Sequence, residues 1–427
     1  MVVIVGEIDL FEYIILTVGI ITCLCMFIFV MKKPYYAVGI YYAIMFVKRL
    51  ILPDARVRET VFIEIAAIAF LMGAVYFGIQ ISRNEVPTKI SIPIMHNSVL
   101  PIGAVVIVEW INGLINGYGS FAILVDVFKV AEILIFYLFF SYVWRSTEGL
   151  EKGIKLLVIE MCVFGIIEFF TTERGGIGIN MTMSLFPLIF AWGFYKKKKF
   201  YWLINFCCFL IVFTSKTRTY LMGFILGIVI IFIVAKGIYK QRNFLYCLIG
   251  LIIGSLAVGI YIELGYGEYF LSLISRILEL SEGFSEAGGY RIYEIQMAIK
   301  KFLEAPLLGK GYGYIEYLYI ELMGFFNWGD FMHNTYIEIL AKTGVFGALI
   351  YGLSIVKYLS GQMKYFSWAG RKNPDCAGLL AGGFAGTLSW LFVFFAAPLS
   401  SYGVIFIPGI IGMLYTELWE RELRCDN

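Results

Sequence analysis

Residues 331–347 read FMHNTYIEILAKTGVFG, and the apolar run they open continues to about residue 359. A bilayer core about 30 Å thick takes roughly 20 apolar residues as helix, so this run is long enough to cross it. At its threshold stand His333, one of two histidines in the chain, and Asn334. A polar pair at that depth is costly unless it is paired or used, which marks a candidate site. Thr335 and Glu338 have capping-box spacing and place the helix start beside them.

The same apolar character extends through the whole chain. Hydrophobic residues make up 60% of 427 residues and charged residues 15%, with a mean hydropathy of +0.83. A soluble chain carries about 25% charged residues. Apolar surface on this scale is buried only in lipid, so the chain reads as an all-α, polytopic integral membrane protein. The net charge of +3 arises from short basic clusters between apolar runs and gives no sign of nucleic-acid binding. Of eight cysteines, Cys23, Cys25, Cys162, Cys207, Cys208 and Cys247 lie inside apolar segments. There they act as small hydrophobes rather than a disulfide framework, and no Cys/His cluster suggests a metal. The opening residues, MVVIVGEIDLFEY, are acidic and lack a small-residue cleavage pattern. The first apolar run is therefore expected to be a retained helix rather than a signal peptide.

Hydropathy predicts spans near 10–31, 35–52, 60–81, 98–116, 121–144, 154–170, 179–195, 200–214, 218–235, 244–263, 334–359, 376–396 and 403–419. That is about thirteen, within a range of about 12–14 transmembrane helices. The lysine run 196–199, the cluster of Lys236, Lys240 and Arg242, that of Lys364, Arg371 and Lys372, and the terminal RELR mark the cytoplasmic side. Segments near 171–178, 214–218, 264–333 and 397–402 then fall on the external side. Arg56 and Arg58 also land there, against the rule. No linker or repeat divides residues 1–427, which read as one integral membrane domain. The 264–333 segment is the only long non-spanning stretch, and connections of that length are usually functional.

Within that segment, Ile292, Ile295, Ile299 and Phe302 recur at helical spacing, away from Glu294, Lys301 and Glu304, and Pro306 ends the pattern. The spacing predicts an external amphipathic helix over about 289–304 lying at the outer surface, with Arg291 in its first turn. Gly309, Gly311 and Gly313 follow, in a setting without the strand or Lys-Ser/Thr of a phosphate loop. They read as a fold-back against the membrane mouth. Residues 325–334, FFNWGDFMHN, bring Trp328, Asp330 and His333 to the next span. Alone, His333 suits either a headgroup or loop-carbonyl contact or a general base. Residues 213–223, FTSKTRTYLMG, put Lys216 and Arg218 at the start of a helix. Free N–H groups, the helix dipole and a guanidinium suit an anion there, although a snorkelling arginine explains the residue equally.

Three of these pieces, taken in order, resemble the O-antigen ligase and Wzy-type polymerase superfamily of bacterial envelope glycosyltransferases. They are the Ser/Thr-rich corner with an arginine, TSKTRTYLMGFILG, then YRIYEIQMAIKKFLEAPLLGKGYG, then HNTYIEILAKTGVFG. The resemblance covers about residues 200–350. One departure is Lys216-Thr217 before Arg218, where the family more often has serine, so Lys216 is a possible substitute for Arg218. The resemblance implies a GT-C-like fold and a polyprenyl-diphosphate-linked glycan donor. It further implies transfer to an acceptor hydroxyl on the external face of the bacterial cytoplasmic membrane, without metal or other cofactor. It gives Arg218 and Arg291 the lipid diphosphate and His333 the acceptor hydroxyl, with Asn334 fixing the local turn. Tyr312, Tyr314, Trp328 and Phe331 would stack on sugars, a role that an interfacial aromatic belt mimics. Asp330 and Glu338 are fallback bases. A polymerase of repeat units is expected, with a chain-length regulator as possible partner. The alternatives are a ligase of finished glycan and, from another class, a lipid-linked oligosaccharide flippase, which the in-span Glu109, Asp126, Lys129, Glu132, Glu160 and Glu168 would suit.

Overall fold

The computed structural model describes residues 25–51, 72–73, 75–76, 93–143, 146–171, 177–196, 199–214, 218–234, 286–314, 316–320, 325–329, 334–395 and 405–425. The chain divides into two compact units, one of residues 1–90 and 139–157, the other of 91–138 and 158–427. In the first, a 3-10 turn Pro34–Tyr36 leads into α1 (Ala37–Ile51). The second carries every candidate residue.

The described helices are α2 (Pro93–Ile115), α3 (Ser120–Val143), α4 (Thr147–Thr171), α5 (Ile177–Lys196), α6 (Lys199–Thr214), α7 (Arg218–Val234), α8 (Glu286–Glu304), α9 (Thr335–Tyr365), α10 (Pro374–Val393) and α11 (Ile407–Cys425). Each of α2 to α7 and α9 to α11 coincides with an expected span within a few residues at most ends. Among the described residues, four helices are long and apolar enough to cross a membrane: Asn97–Ile115, Ile177–Lys196, Thr335–Gly370 and Pro374–Val393. The expected spans 10–31, 60–81 and 244–263 fall largely or wholly outside the described residues, as do Arg56 and Arg58. The all-α reading holds for every described span. One addition is an antiparallel hairpin, β1 (Glu316–Ile320) with β2 (Phe325–Gly329), in register from Glu316↔Gly329 to Ile320↔Phe325. Its aromatic-rich composition favours strand over helix.

Helix α5 is the hub of the second unit, buried along nearly its whole length and packed by α10, α6, α7 and α11. In lipid, helices associate through close packing rather than hydrophobic drive, which selects small residues at their contacts. Helix α10 supplies them. A Cβ on Gly382 would lie 2.5 Å from the Pro187 carbonyl oxygen of α5, and one on Gly383 would lie 2.7 Å from that of Pro408. Large apolar residues such as Ile107, Leu114, Leu349, Leu353 and Val356 point outward instead. They form the face expected toward hydrocarbon.

One end of this unit gathers four helix termini. The Tyr220 hydroxyl donates to Asn180 Oδ1 at 3.1 Å, and its ring meets Trp390 edge-on at 6.0 Å. Trp390 leans on Phe394 at 5.8 Å, and the Phe394 carbonyl accepts the Thr335 N–H at 3.1 Å. The starts of α5, α7 and α9 and the end of α10 thus share one level, the mouth. The basic residues of 364–372 lie at the far end of α9. Lys196 lies at the far end of α5, 3.6 Å from Asp375 and over the Trp192 ring.

Candidate functional site

Helix α9 begins where the sequence reading puts it, but with a different cap. Asn334, in extended conformation, accepts the Ile337 N–H on its side-chain oxygen at 3.1 Å. Its amide nitrogen donates to the Phe395 carbonyl at 3.2 Å. This is N-cap chemistry, and it ties the helix start to the end of α10. The expected Thr335/Glu338 capping box is absent, because Glu338 turns inward. Glu338 is 1% exposed and accepts from Lys342 Nζ at 2.7 Å. A carboxylate so enclosed is no fallback base.

The first two turns of α9 end in a break. Gly344 has φ 61° and ψ −166°, a conformation essentially restricted to glycine. An unbroken helix would bond the Ala341 carbonyl to the Val345 N–H, and the Lys342 carbonyl to the Phe346 N–H. Here all four groups turn to the 306–311 segment. Val345 and Phe346 donate to the carbonyls of Pro306 (2.9 Å) and Leu307 (3.1 Å). The carbonyls of Ala341 and Lys342 accept from Lys310 (3.0 Å) and Gly311 (2.8 Å). The turn is spliced into the helix ladder, so the break leaves none of these groups unsatisfied.

Gly309, Gly311 and Gly313 all have positive φ, and this is the fold-back the sequence predicts. Its docking partner is the α2–α3 corner, which sequence reasoning missed. The Glu109 carbonyl accepts the Tyr312 N–H at 3.1 Å. Asn112 and Asn116 donate side-chain N–H groups to the carbonyls of Leu308 (3.2 Å) and Lys310 (3.1 Å). A Cβ on Gly311 would sit 2.7 Å from the Gly113 nitrogen. The repeated Asn-Gly of WINGLINGYG was the available signal.

Below the turn lies a buried ionic cluster. Lys342 Nζ donates to Asp126 Oδ1 at 2.8 Å as well as to Glu338, and Lys129 is 3.8 Å from Asp126. Asp126 Oδ2 accepts the Gly313 N–H at 2.9 Å. Two lysines face two carboxylates, which makes the group neutral. Removing one partner of such a set leaves an uncompensated buried charge, worth about 3–5 kcal/mol. Lys342→Met is therefore expected to lower the thermal unfolding midpoint sharply in detergent. Exposed Lys300→Met should leave it nearly unchanged. Equal midpoints in the two variants would contradict the pairing.

Helix α8 spans Glu286–Glu304, starting three residues before the expected boundary, so Arg291 sits in its second turn rather than its first. It does not stand alone at a surface: Ala298 packs on Ala341 and Ile337 of α9. Ala298 meets Ala341, and the Pro306 carbonyl accepts the Val345 N–H two residues past the end of α8. Ile299, Leu303 and Leu307 are exposed on its other side. At its end Glu304 pairs with Lys310 at 2.6 Å and Lys301 at 3.4 Å. The Lys310 hydrogen bond holds the Glu304 carboxyl below its ordinary range.

The remaining site candidates distribute as follows. Arg218 opens α7 at the mouth. Arg291 lies on α8 seven residues before Ala298, as Asn334 lies seven before Ala341. Along each helix that offset is about 10 Å. Trp328 is in β2, opposite Tyr317. His333, Lys216, Asp330 and Phe331 lie outside the described residues. Tyr312 is 3% exposed, with its hydroxyl 3.0 Å from that of Tyr351, an interior position that removes it from sugar stacking. Tyr314 is half-buried, its ring 6.0 Å from Tyr118. Beside the mouth, a cavity of about 250 Å³ opens between α9, α10 and the start of α11. Its walls are apolar and include Tyr336, Leu340, Ile355, Phe394 and Phe406.

Comparison with known proteins gives one family. Residues 203–352, which are 150 of the 427, match the family Wzy_C, described as O-Antigen ligase. The matched stretch holds α7, α8, the glycine turn, the hairpin and the broken start of α9. No curated protein matches the chain. Residues 203–352 are thus similar to that family, a match consistent with the O-antigen ligase/Wzy-type superfamily.

Proposed function

We propose that this protein is a glycosyltransferase that polymerises polyprenyl-diphosphate-linked repeat units into O-antigen, capsule or exopolysaccharide at the external face of the bacterial cytoplasmic membrane. The observation that carries the reading is the splice of the glycine turn into α9. It ties the end of α8 to the start of α9, which supports a site built from the ends of both helices, with Arg291 seven residues before Ala298 and Asn334 seven before Ala341. Arg218, at the start of α7, belongs to the same mouth. The basic clusters at the opposite ends of the helices support an external mouth under the positive-inside rule.

In the reaction, the acceptor hydroxyl oxygen attacks the anomeric carbon while the bond from that carbon to the diphosphate oxygen breaks. His333 takes the hydroxyl proton or orients the hydroxyl. Arg218 and Arg291 hold the departing diphosphate, whose negative charge two guanidinium groups match. The apolar cavity beside the mouth suits the polyprenyl chain. Trp328 and Tyr314 remain the residues for the sugars, with Lys216 and Asp330 beside the diphosphate and the acceptor. A chain-length regulator is a fitting partner for a polymerase.

The family's description favours a second reading, transfer of finished glycan to a lipid core or protein. A size profile of lipid-linked and surface glycan, with and without the gene, separates the two. Loss of a long ladder with single repeats left outside is the expected result. Full-length chains retained on the carrier would mean ligase. Single units held on the cytoplasmic face would mean a flippase and end the transferase reading. With purified protein, His333→Ala should lower transfer by about 10²–10⁴-fold, and a pH–rate profile then tells base from positioner.

A further inference from the structure

The geometry points to Asp126 as a positioning residue for the transfer site, an inference that rests on the function proposed above. Asp126 is 5% exposed and sits on α3, far from the mouth residues in sequence. Its two oxygens do different things. Oδ2 accepts the Gly313 N–H at the exit of the glycine turn, and Oδ1 accepts Lys342 Nζ two turns into α9. It is thereby hydrogen-bonded both to the turn that ends α8 and to the helix that begins at Asn334. The splice sets how α8 and α9 face each other, and Asp126 fixes both to α3. Lys129 and Lys342 offset its charge and that of Glu338.

Loss of this joint should change the register between the starts of α8 and α9 more than it changes donor capture. An ångström of misplacement in reacting groups costs about 10²-fold in rate. The test uses full-length protein in liposomes with lipid-linked glycan as donor. Asp126→Asn keeps an acceptor but removes the charge. It is expected to lower kcat about 10- to 100-fold with KM within about threefold, and to speed amide exchange of residues 309–314. Asp126→Glu, which restores the charge on a longer side chain, should recover part but not all of kcat. His333→Ala should leave that exchange unchanged. Wild-type kcat in Asp126→Asn, or a raised KM at unchanged kcat, would overturn the proposal. So would an effect on kcat without any change in exchange. If Asp126→Asn fails to give monodisperse protein, Asp126→Glu carries the test, with an intermediate kcat and exchange expected and wild-type values overturning it. If the wild-type protein transfers no glycan, the function reading fails, while the exchange measurement still reports whether Asp126 holds the turn.

Discussion

Gly344→Ala is expected to expel the glycine turn from α9 and abolish transfer, while the protein remains in the membrane. A Cβ at this position would lie 2.3 Å from the Leu307 carbonyl oxygen, 2.5 Å from its carbon and 2.6 Å from the Gly309 nitrogen. These are backbone atoms, so no side chain can swing aside. The backbone conformation itself costs a non-glycine residue about 1–3 kcal/mol. Alanine also offers an exit, because it favours continuous helix. With φ returned to the helical region, Val345 and Phe346 would again donate to Ala341 and Lys342, leaving the Pro306 and Leu307 carbonyls and the Lys310 and Gly311 N–H groups without their α9 partners. The expected signature is fast amide exchange at 306–313, slow exchange at 345–346 and no transfer. Gly352→Ala is the matched control. Nothing lies within 4 Å of its Cβ, and a mid-helix alanine there should stabilise by up to about 1 kcal/mol. If Gly344→Ala retains the wild-type exchange pattern, the splice is not what holds the turn.

That break shows where the sequence was legible and where it was not. The spans were legible because hydropathy is a local quantity: α5 and α10 announce themselves in twenty-residue windows. The three glycines of LLGKGYG were legible as a fold-back because alternate glycines fit few other backbones. What they fold against was not. Gly313 meets Asp126 across 187 residues, Lys342 meets Asp126 across 216, and Asn112 reaches Leu308 across 196. In the sequence, Asp126 and Glu109 stood as isolated in-span acids and lent weight to a transporter. In the structure Asp126 balances Lys342, and the Glu109 carbonyl holds the turn. The capping box misled because its spacing was right but its glutamate had a stronger partner one turn further along. Glu338 facing Lys342 in the interior outweighs a bond to one backbone N–H. Tyr312 misled for a related reason: aromatic residues at a membrane mouth read alike whether they face sugar or core.

The largest effect on chemistry without loss of fold is expected from Arg291→Lys and Arg218→Lys. Each keeps the positive charge but replaces a planar, two-pronged donor with a single ammonium. Against a diphosphate leaving group, losing one well-placed donor costs about 10²–10³-fold in rate. Helix α8 is held by Ala298 and the glycine turn, two helical turns from Arg291, so its packing should survive the change. Arg218 opens α7 two residues before Tyr220, whose hydrogen bond to Asn180 and ring contact with Trp390 anchor that end. Thermal midpoints should therefore shift little while release of polyprenyl diphosphate from labelled donor falls. The two positions need not respond equally. At Arg218 the free N–H groups of the helix start remain and still favour an anion, so Arg218→Lys should retain more activity than Arg291→Lys. Normal release in both variants, at normal expression, would remove the clamp. A loss confined to Arg291→Lys, with Lys216→Met then matching the effect expected of Arg218→Lys, would move the second half of the clamp to Lys216.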